Sequence, residues 1–178
     1  MTKRSPGTDP GAAFADALGA WAAGVTLLTV ADGRDDIGTT VSAFCPVSLQ
    51  PALAAVALIA GSYPAEVLGR LDFFAVTLLS AGQRVLAGRF DAAGRPSARL
   101  LLAGVSHQRG ELSGALIPDA GLAALECEIT ERLPAGDHLL VVFRVVAVPY
   151  VAESGEPLIR FRGRYPSLGP TATPAPSS

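Results

Sequence analysis

Apolar runs of strand length alternate with short polar turns along most of this chain. Val25–Ala31 is rich in strand-forming residues and stops at Asp32–Gly33, a strong turn signal, after which Ile37–Val41 can return as the second strand of a hairpin. Ala52–Ile59 and Phe73–Leu79 are further apolar runs of strand length. The pattern predicts a chain built mainly from strands.

A second hairpin is predicted closer to the C-terminus. Apolar and polar residues alternate in Leu125–Thr130, which predicts a strand with one face toward solvent. His138–Val148 is apolar on both faces, and Pro134–Asp137 is a compact turn between the two runs. The pair should form a long antiparallel hairpin.

The first helical pattern lies near the N-terminus. An amphipathic helix is predicted from Asp9, its N-cap, to Gly24, because Phe14, Leu18 and Trp21 recur at i, i+4 and i+7. These three side chains should form its apolar face.

Two more helices are predicted between strands. Pro64–Leu71 has proline at a helix start. Ser80–Phe90 has Ser80 as its N-cap, with Val85 and Leu86 predicted on the buried face and Gln83–Arg89 otherwise facing outward.

The domain is expected to span residues 9–166, since residues 1–8 and 167–178 are rich in Pro, Ser, Thr and Gly and are expected to be disordered tails. Residues 91–116 have no clear pattern. Many strands, few helices and no β-α-β alternation predict a mainly β fold, an antiparallel β-barrel with peripheral α-helices, and argue against a Rossmann fold.

Composition narrows the class of protein. A chain of 178 residues with 49% hydrophobic content can bury one sizeable core, and a net charge of −2 gives no basic surface for nucleic acid. Cys45 and Cys127 lack partners at metal-ligand spacing, which favours no metal site and a reduced, cytoplasmic setting. The apolar stretches are too short to span a membrane, and residues 1–10 lack a signal-peptide core.

The segment Gly38–Pro51 has the most suggestive chemistry. It places hydroxyl groups and small residues at a bend between two apolar runs, where backbone N–H groups can approach a polar ligand. The alternative is a turn whose Ser and Thr side chains cap their own backbone. Sequence signatures of hydrolases and kinases are missing, and His107 and His138 are the only histidines.

Six segments resemble, in order, the motifs of the flavin reductase family, across about residues 12–166. These segments are Ala17–Thr26, Gly38–Pro51, Phe74–Gln83, Leu125–Cys127, Gly136–His138 and Phe161–Tyr165. The resemblance implies an FMN-binding split-barrel fold. It also implies a set of flavin-contacting residues: Thr40, Val41, Ser42 and Ala43 at the ring, Val47 and Ser48 toward the ribityl chain and phosphate, and Ser62, Arg89 and Phe90 near the phosphate.

The resemblance further implies a nicotinamide site formed by His138, Arg162, Gly163, Arg164 and Tyr165. No catalytic residue is obligatory, with His138 as the one candidate. The residues alone also allow plainer interpretations: a packed histidine at a strand start, arginines at a solvated strand end, and a tyrosine that covers the barrel mouth.

The chain departs from the family pattern at several positions. Pro46 replaces a serine of the flavin loop, Pro64 replaces a threonine of the phosphate pair, and Thr77 replaces an asparagine. These changes weaken, above all, the expectation of how the site binds the flavin phosphate. Cys45 is expected to be a small buried residue, with a functional thiol as the alternative.

The function implied is an NAD(P)H-dependent flavin reductase, in which nicotinamide passes a hydride to N5 of the flavin. The cofactor is FMN or FAD, the reductant is NADH or NADPH, and the implied partners are a second copy in a homodimer and a flavin-dependent monooxygenase. Two alternatives stay open: a flavin-retaining oxidoreductase that acts directly on an organic substrate, and a non-catalytic binding subunit.

Overall fold

A computed structural model describes residues 10–33, 35–92 and 94–168. The predicted tails lie outside this part, apart from Ser167 and Leu168, and so does Asp9. The helices are α1 (Pro10–Gly19), α2 (Tyr63–Leu68), α3 (Arg84–Asp91) and α4 (Ala98–Leu101), with a 3₁₀ turn at Ala81–Gln83 before α3. The strands are β1 (Ala23–Gly24), β2 (Thr26–Asp32), β3 (Asp35–Val41), β4 (Phe44–Leu49), β5 (Ala52–Ile59), β6 (Phe73–Leu78), β7 (His107–Arg109), β8 (Leu116–Pro118), β9 (Ala123–Ala135), β10 (His138–Val151) and β11 (Ile159–Arg160).

Seven strands form one antiparallel sheet in the order β3-β2-β6-β9-β10-β5-β4. Both predicted hairpins are confirmed: β2 pairs with β3, and β9 pairs with β10 across a two-residue turn at Gly136 and Asp137. Gly136 has a φ of 64°, which this tight turn requires and glycine tolerates best. The prediction of a mainly β fold is therefore correct.

The two edge strands of this sheet, β3 and β4, are neighbours in sequence. Only Ser42 and Ala43 lie between them, and the Ala57 N–H on β5 donates to the Ala43 carbonyl at 3.0 Å. Val41 and Phe44, one on each edge strand, belong to the same hydrophobic cluster. The sheet therefore curls so that its edges approach, although no ladder joins β3 to β4 in the described residues.

Two apolar clusters stabilise this arrangement. Inside the sheet, Phe74 on β6 and Phe143 on β10 are fully buried and meet edge to face, with ring centroids 4.9 Å apart. On the other side of β2, Phe90 of α3 packs with Leu27 and Leu102 beneath the helices. The second cluster fixes α3 and α4 against β3, next to the site described below.

The helix after β6 differs from the prediction in its buried face. Ser80 and Gln83 form a capping box, and the Gln83 side chain is buried, where it donates to the Asp119 carbonyl at 2.8 Å. Val85 is 72% exposed, whereas Leu86 is buried as expected. Helix α3 thus buries Leu86, Ala87 and Phe90 and leaves Val85 in solvent, while the capping turn before it draws Gln83 inward.

Two other expectations are wrong in part. Helix α1 ends at Gly19 and buries none of its residues, so Phe14 and Leu18 are exposed, and Trp21 lies beyond the end of the helix and is exposed as well. Glu126, predicted on a solvent-facing side, is only 2% exposed because the turn before β8 covers it. Its carboxylate accepts hydrogen bonds from the Ser113 and Leu112 N–H groups.

The segment without a predicted structure, residues 91–116, contains α4, β7 and the first residue of β8, which pairs with β7 in a small hairpin. No helix in the described ranges is long and apolar enough to cross a membrane.

Candidate functional site

A cavity of about 390 Å³, which we call the central cavity, opens where the two edges of the large sheet approach each other. One wall is the end of β3 with its link to β4, and the opposite wall is the end of β5 with Ser62 and Pro64. Phe90 and Asp91 of α3, together with Arg95, His138 and Arg160, complete the lining. The sheet topology thus brings residues that are far apart in sequence to one place.

Two further cavities adjoin the central one. A cavity of about 570 Å³, the outer cavity, shares Ser42, Ala43, Ala57 and Arg160 with it. A cavity of about 400 Å³, the side cavity, shares Ser62, Pro64 and Arg95 with it. Through these shared lining residues the three cavities form one groove, with the central cavity in the middle.

The central cavity depends on a glycine on β3. A Cβ at Gly38 would lie 2.8 Å from Cδ1 of Phe90 and closer still to Cε1, so only glycine lets the fully buried Phe90 ring pack against this strand. The Gly38 carbonyl accepts a hydrogen bond from Arg95 Nε at 2.7 Å. Gly38 therefore sets the positions of both Phe90 and Arg95 in the lining.

Arg95 is a cation that sequence reasoning missed. Its Nη1 also donates to the Ala92 carbonyl at 3.4 Å, and no carboxylate among the described residues lies within ion-pair distance. Burial lowers the pKa of Arg95, an effect that nearby Asp91 partly offsets. An arginine keeps its charge even so, and its remaining N–H donors are available to an anion.

His138 begins β10 and lines the central cavity. Its Nδ1 lies 2.7 Å from Asp137 Oδ1, and this contact lowers the pKa of the Asp137 carboxyl. Because Nδ1 faces the carboxylate, Nε2 is the ring nitrogen left for a ligand. The sequence motif Gly136–His138 thus provides both a tight turn and an oriented imidazole.

Asp91 connects the walls at the boundary between the central and outer cavities. It accepts a weak hydrogen bond from Thr40 Oγ1 at 3.4 Å, and its carboxylate lies 3.8 Å from Nη1 of Arg160. Arg160 lines both cavities and was also missed from the sequence. A second cation therefore faces the middle of the groove.

Most of the predicted flavin-contacting residues come together. The central cavity is lined by Thr40, Val41, Ser42, Ala43, Ser62, Phe90 and His138, and the outer cavity by Arg162 and Gly163. Ser62 has a structural role as well, because its Oγ accepts the Ala65 N–H at the start of α2.

The other predicted site residues lie away from these cavities. Val47 and Ser48 are on β4 beside a bulge, and the Arg89 guanidinium donates to the Leu101 carbonyl at 3.1 Å on the far side of α3. Arg164 is exposed, and Tyr165 packs against the cluster beneath the helices with Arg84 above its ring.

Cys45 contradicts the expectation of a buried residue. It is an exposed free thiol on β4 that lines the outer cavity. The neighbouring Pro46 is also exposed, on an edge strand where a missing N–H breaks no ladder within the described sheet. Much of the predicted loop Gly38–Pro51 is thus strand, interrupted by a bend at Ser42 and Ala43 and by the turn at Gln50 and Pro51.

Comparison with known proteins identifies the family. Residues 18–169 match the flavin reductase-like domain. An NADH-dependent FMN reductase from Streptomyces nodosus subsp. asukaensis is 35% identical over 170 residues, which are 93% of this chain and 89% of that protein. The reductase component of 4-hydroxyphenylacetate 3-monooxygenase from Thermus thermophilus is 35% identical over 156 residues, covering 88% of this chain and 95% of that protein.

Solved structures agree. The NADH:FAD oxidoreductase of Streptomyces globisporus C-1027, in complex with NAD and FAD fragments, superposes with a TM-score of 0.86 at 27% identity, covering 95% of this chain and 100% of that chain. The resemblance seen in the sequence motifs is confirmed, and this chain belongs to the flavin reductase-like domain family.

Proposed function

We propose that this protein is an NAD(P)H-dependent flavin reductase, in which a hydride passes from nicotinamide to N5 of FMN or FAD. The observation that carries the proposal is the central cavity, where the polar wall Thr40–Ala43 faces His138 and the cation Arg95. The pyrimidine edge of an isoalloxazine ring can hydrogen-bond to such a wall. A flavin phosphate suits a guanidinium that has no carboxylate partner in the described part of the chain.

In this proposal each wall has a separate task. Residues 40–43 line the ring, while Arg95 and Ser62 hold the phosphate end. Arg95 thus takes the role that the family pattern suggested for Arg89. When bound, the flavin supplies the redox chemistry, and the protein contributes position and charge.

The nicotinamide side is assigned to His138 and to the outer cavity with Arg162 and Gly163. Backbone contacts hold this wall, since the Arg162 N–H donates to the Gly19 carbonyl at 3.0 Å. Hydride transfer needs the two rings stacked within about 3–3.5 Å, and no protein acid or base is obligatory. The task of His138 is therefore to orient the nicotinamide substrate.

The test is oxidation of NADH and of NADPH, each measured with added FMN and with added FAD. Flavin-dependent oxidation in at least one combination is expected, and its absence from all four would remove the reductase proposal. Flavin that stays bound through purification, without turnover of added flavin, would instead indicate an oxidoreductase acting directly on an organic substrate.

A histidine pair provides a sharper test of the nicotinamide side. His138→Ala removes a ligand-facing imidazole, so kcat/KM for the nicotinamide substrate should fall by about tenfold. His107→Ala is the matched control, because His107 is exposed on β7 with its Nδ1 2.7 Å from the Val105 carbonyl and lines none of the three cavities. Equal kinetics for the two variants would eliminate the role assigned to His138.

The finer fold assignment is a split β-barrel spanning about residues 9–166. It is supported by the approach of the two sheet edges, where Val41 of β3 and Phe44 of β4 belong to one hydrophobic cluster. We also propose a homodimer, supported by exposed apolar side chains just after α1 and on β4, Trp21 and Leu49, at 73% and 92% exposure. Light scattering should give the mass of two chains.

The proposed partner is the oxygenase component of a flavin-dependent monooxygenase, supported by similarity to a monooxygenase reductase component. The proposed location is the cytoplasm, supported by two cysteines that are both free thiols.

A further inference from the structure

We propose that Asp36 is a positioning residue for flavin binding, because it anchors the short segment that carries Arg95 and so fixes that guanidinium where the flavin phosphate binds. This inference rests on the proposed function, which assigns Arg95 to the phosphate, and it adds the reason why Arg95 is already in place before the flavin arrives. Asp36 acts through Arg95 and not by contact with the flavin.

Strand β3 has a free edge to which this segment is attached. It is the last strand of the sheet, so carbonyl groups on its outer side face no neighbouring strand in the described residues. The Asp36 carbonyl accepts a hydrogen bond from Ser97 Oγ at 3.1 Å. The Gly38 carbonyl, two residues further on, accepts one from Arg95 Nε at 2.7 Å. Residues 95–97 therefore run antiparallel to β3 along its edge, and Arg95 shares this edge with Asp36.

The Asp36 carboxylate anchors the continuation of the same segment. Its side chain is only 2% exposed and accepts hydrogen bonds from Arg99 Nε and from both terminal nitrogens of Arg109, the latter at 2.9 and 3.1 Å. Despite burial, these hydrogen bonds lower the pKa of Asp36, so the side chain is ionised at neutral pH. One carboxylate thus connects β3 to α4, which begins directly after Ser97, and to β7.

The two arginines need this carboxylate between them. Arg99 and Arg109 both donate to Asp36 Oδ2, so their guanidinium groups lie close together and would repel each other without the negative charge. Removal of that charge should move α4 away from β3 and loosen residues 95–97. Arg95 would then lose freedom only when the phosphate binds, and this ordering cost lowers the affinity.

The test is the affinity of Asp36→Asn for FMN, FAD and riboflavin, measured by flavin fluorescence without NAD(P)H. Asparagine has nearly the shape of aspartate but no charge. The dissociation constants of FMN and FAD should rise by about threefold to tenfold, the range expected when one preordered long side chain becomes mobile. Riboflavin has no phosphate, so its dissociation constant should stay as in the wild type.

Steady-state kinetics provide a second readout that a merely structural role would not move. In Asp36→Asn the KM for the flavin should rise in parallel with the dissociation constant. The kcat at saturating flavin should stay as in the wild type, because the wall that lines the ring is unchanged.

A matched control and a double variant separate this role from a general loss of stability. Asp32→Asn removes a carboxylate that pairs with Arg70 through both oxygens and lines none of the three cavities, so it should bind all three flavins like the wild type. In an Arg95→Ala background, Asp36→Asn should weaken FMN no further, because the residue through which it acts is gone.

A milder variant tests the same anchor if Asp36→Asn does not fold. Ser97→Ala removes only the hydrogen bond to the Asp36 carbonyl and the cap of α4, and it should change the ratio of FMN to riboflavin affinity in the same direction, by less. Circular dichroism checks that the sheet of each variant is intact.

Several results would overturn the inference. Unchanged FMN and FAD affinities in the Asp36 and Ser97 variants, an equal loss for riboflavin, or additive effects of Asp36→Asn and Arg95→Ala would each refute it and leave the reductase proposal in place. A wild type that neither binds flavin nor shows flavin-dependent NAD(P)H oxidation would refute both proposals together.

Discussion

Replacing Gly38 by alanine tests how the central cavity is built. The new Cβ would lie 2.8 Å from Phe90 Cδ1, nearer still to Cε1, and 3.5 Å from the Ala98 Cβ. Phe90 is fully buried, so its ring can yield only by displacing its neighbours beneath α3. Overpacking of this kind costs about 1–3 kcal/mol.

A smaller opposing effect comes from the unfolded chain. Alanine has less conformational freedom than glycine there, which favours the folded variant by about 0.5–1 kcal/mol. The net expectation for Gly38→Ala is a loss of about 1–2 kcal/mol in the free energy of unfolding. With an m-value of about 2 kcal/mol per M in urea, the midpoint should fall by about 0.5–1 M.

The assay is urea unfolding followed by circular dichroism, with Gly88→Ala as the matched control. Gly88 lies in α3, and a Cβ there has open space, so this variant should gain up to about 1 kcal/mol. In the double variant Gly38→Ala/Phe90→Leu, the smaller side chain should remove most of the Gly38→Ala cost. Additive costs in that cycle, or a Gly38→Ala variant as stable as the wild type, would refute the steric reasoning.

Two further predictions concern buried polar groups. Burial alone would raise the pKa of Asp36, but hydrogen bonds from Arg109 and Arg99 outweigh it and the pKa is lowered. Asp36→Asn should therefore cost about 1–2 kcal/mol at neutral pH, since the arginines are half exposed. A lowered folded-state pKa stabilises above the unfolded value of about 3.9. The difference from wild type should thus vanish as the pH falls through the folded-state pKa, and a pH-independent difference in urea unfolding would contradict the ion-pair explanation. Thr77 Oγ1 is buried without a hydrogen-bond partner in the described residues, so Thr77→Val should raise stability by about 1 kcal/mol, and a lower melting temperature would show that the hydroxyl is satisfied.

The sequence predicted the hairpins well because their signals are local. The turns after Asp32 and at Gly136 lie beside the strands that they join, so periodicity and turn chemistry indicate the same structure. Burial was harder to predict because it depends on distant elements. Glu126 is covered by a turn from the unassigned segment, and Gln83 is drawn inward by a carbonyl 36 residues away.

In the candidate site, too, the residues of local motifs could be predicted, and residues placed by distant packing could not. Residues 40–43 and His138 lie within motifs, and the structure brings them together. Arg95 was missed because its importance comes from packing against Gly38 and not from a motif of its own. The available signal was weak: an arginine between Gly94 and Pro96, just before the Ser97 cap of α4.

The short link between the two edge strands has a consequence for the order of folding. Residues 42 and 43 lie between two hairpins of low contact order, β2–β3 and β4–β5, each of which can form by itself. We expect the angle between those hairpins to become fixed when the long β9–β10 hairpin docks between β6 and β5. Native ligand-binding geometry should therefore arise in the last docking step, and it should be the first feature lost when that hairpin detaches.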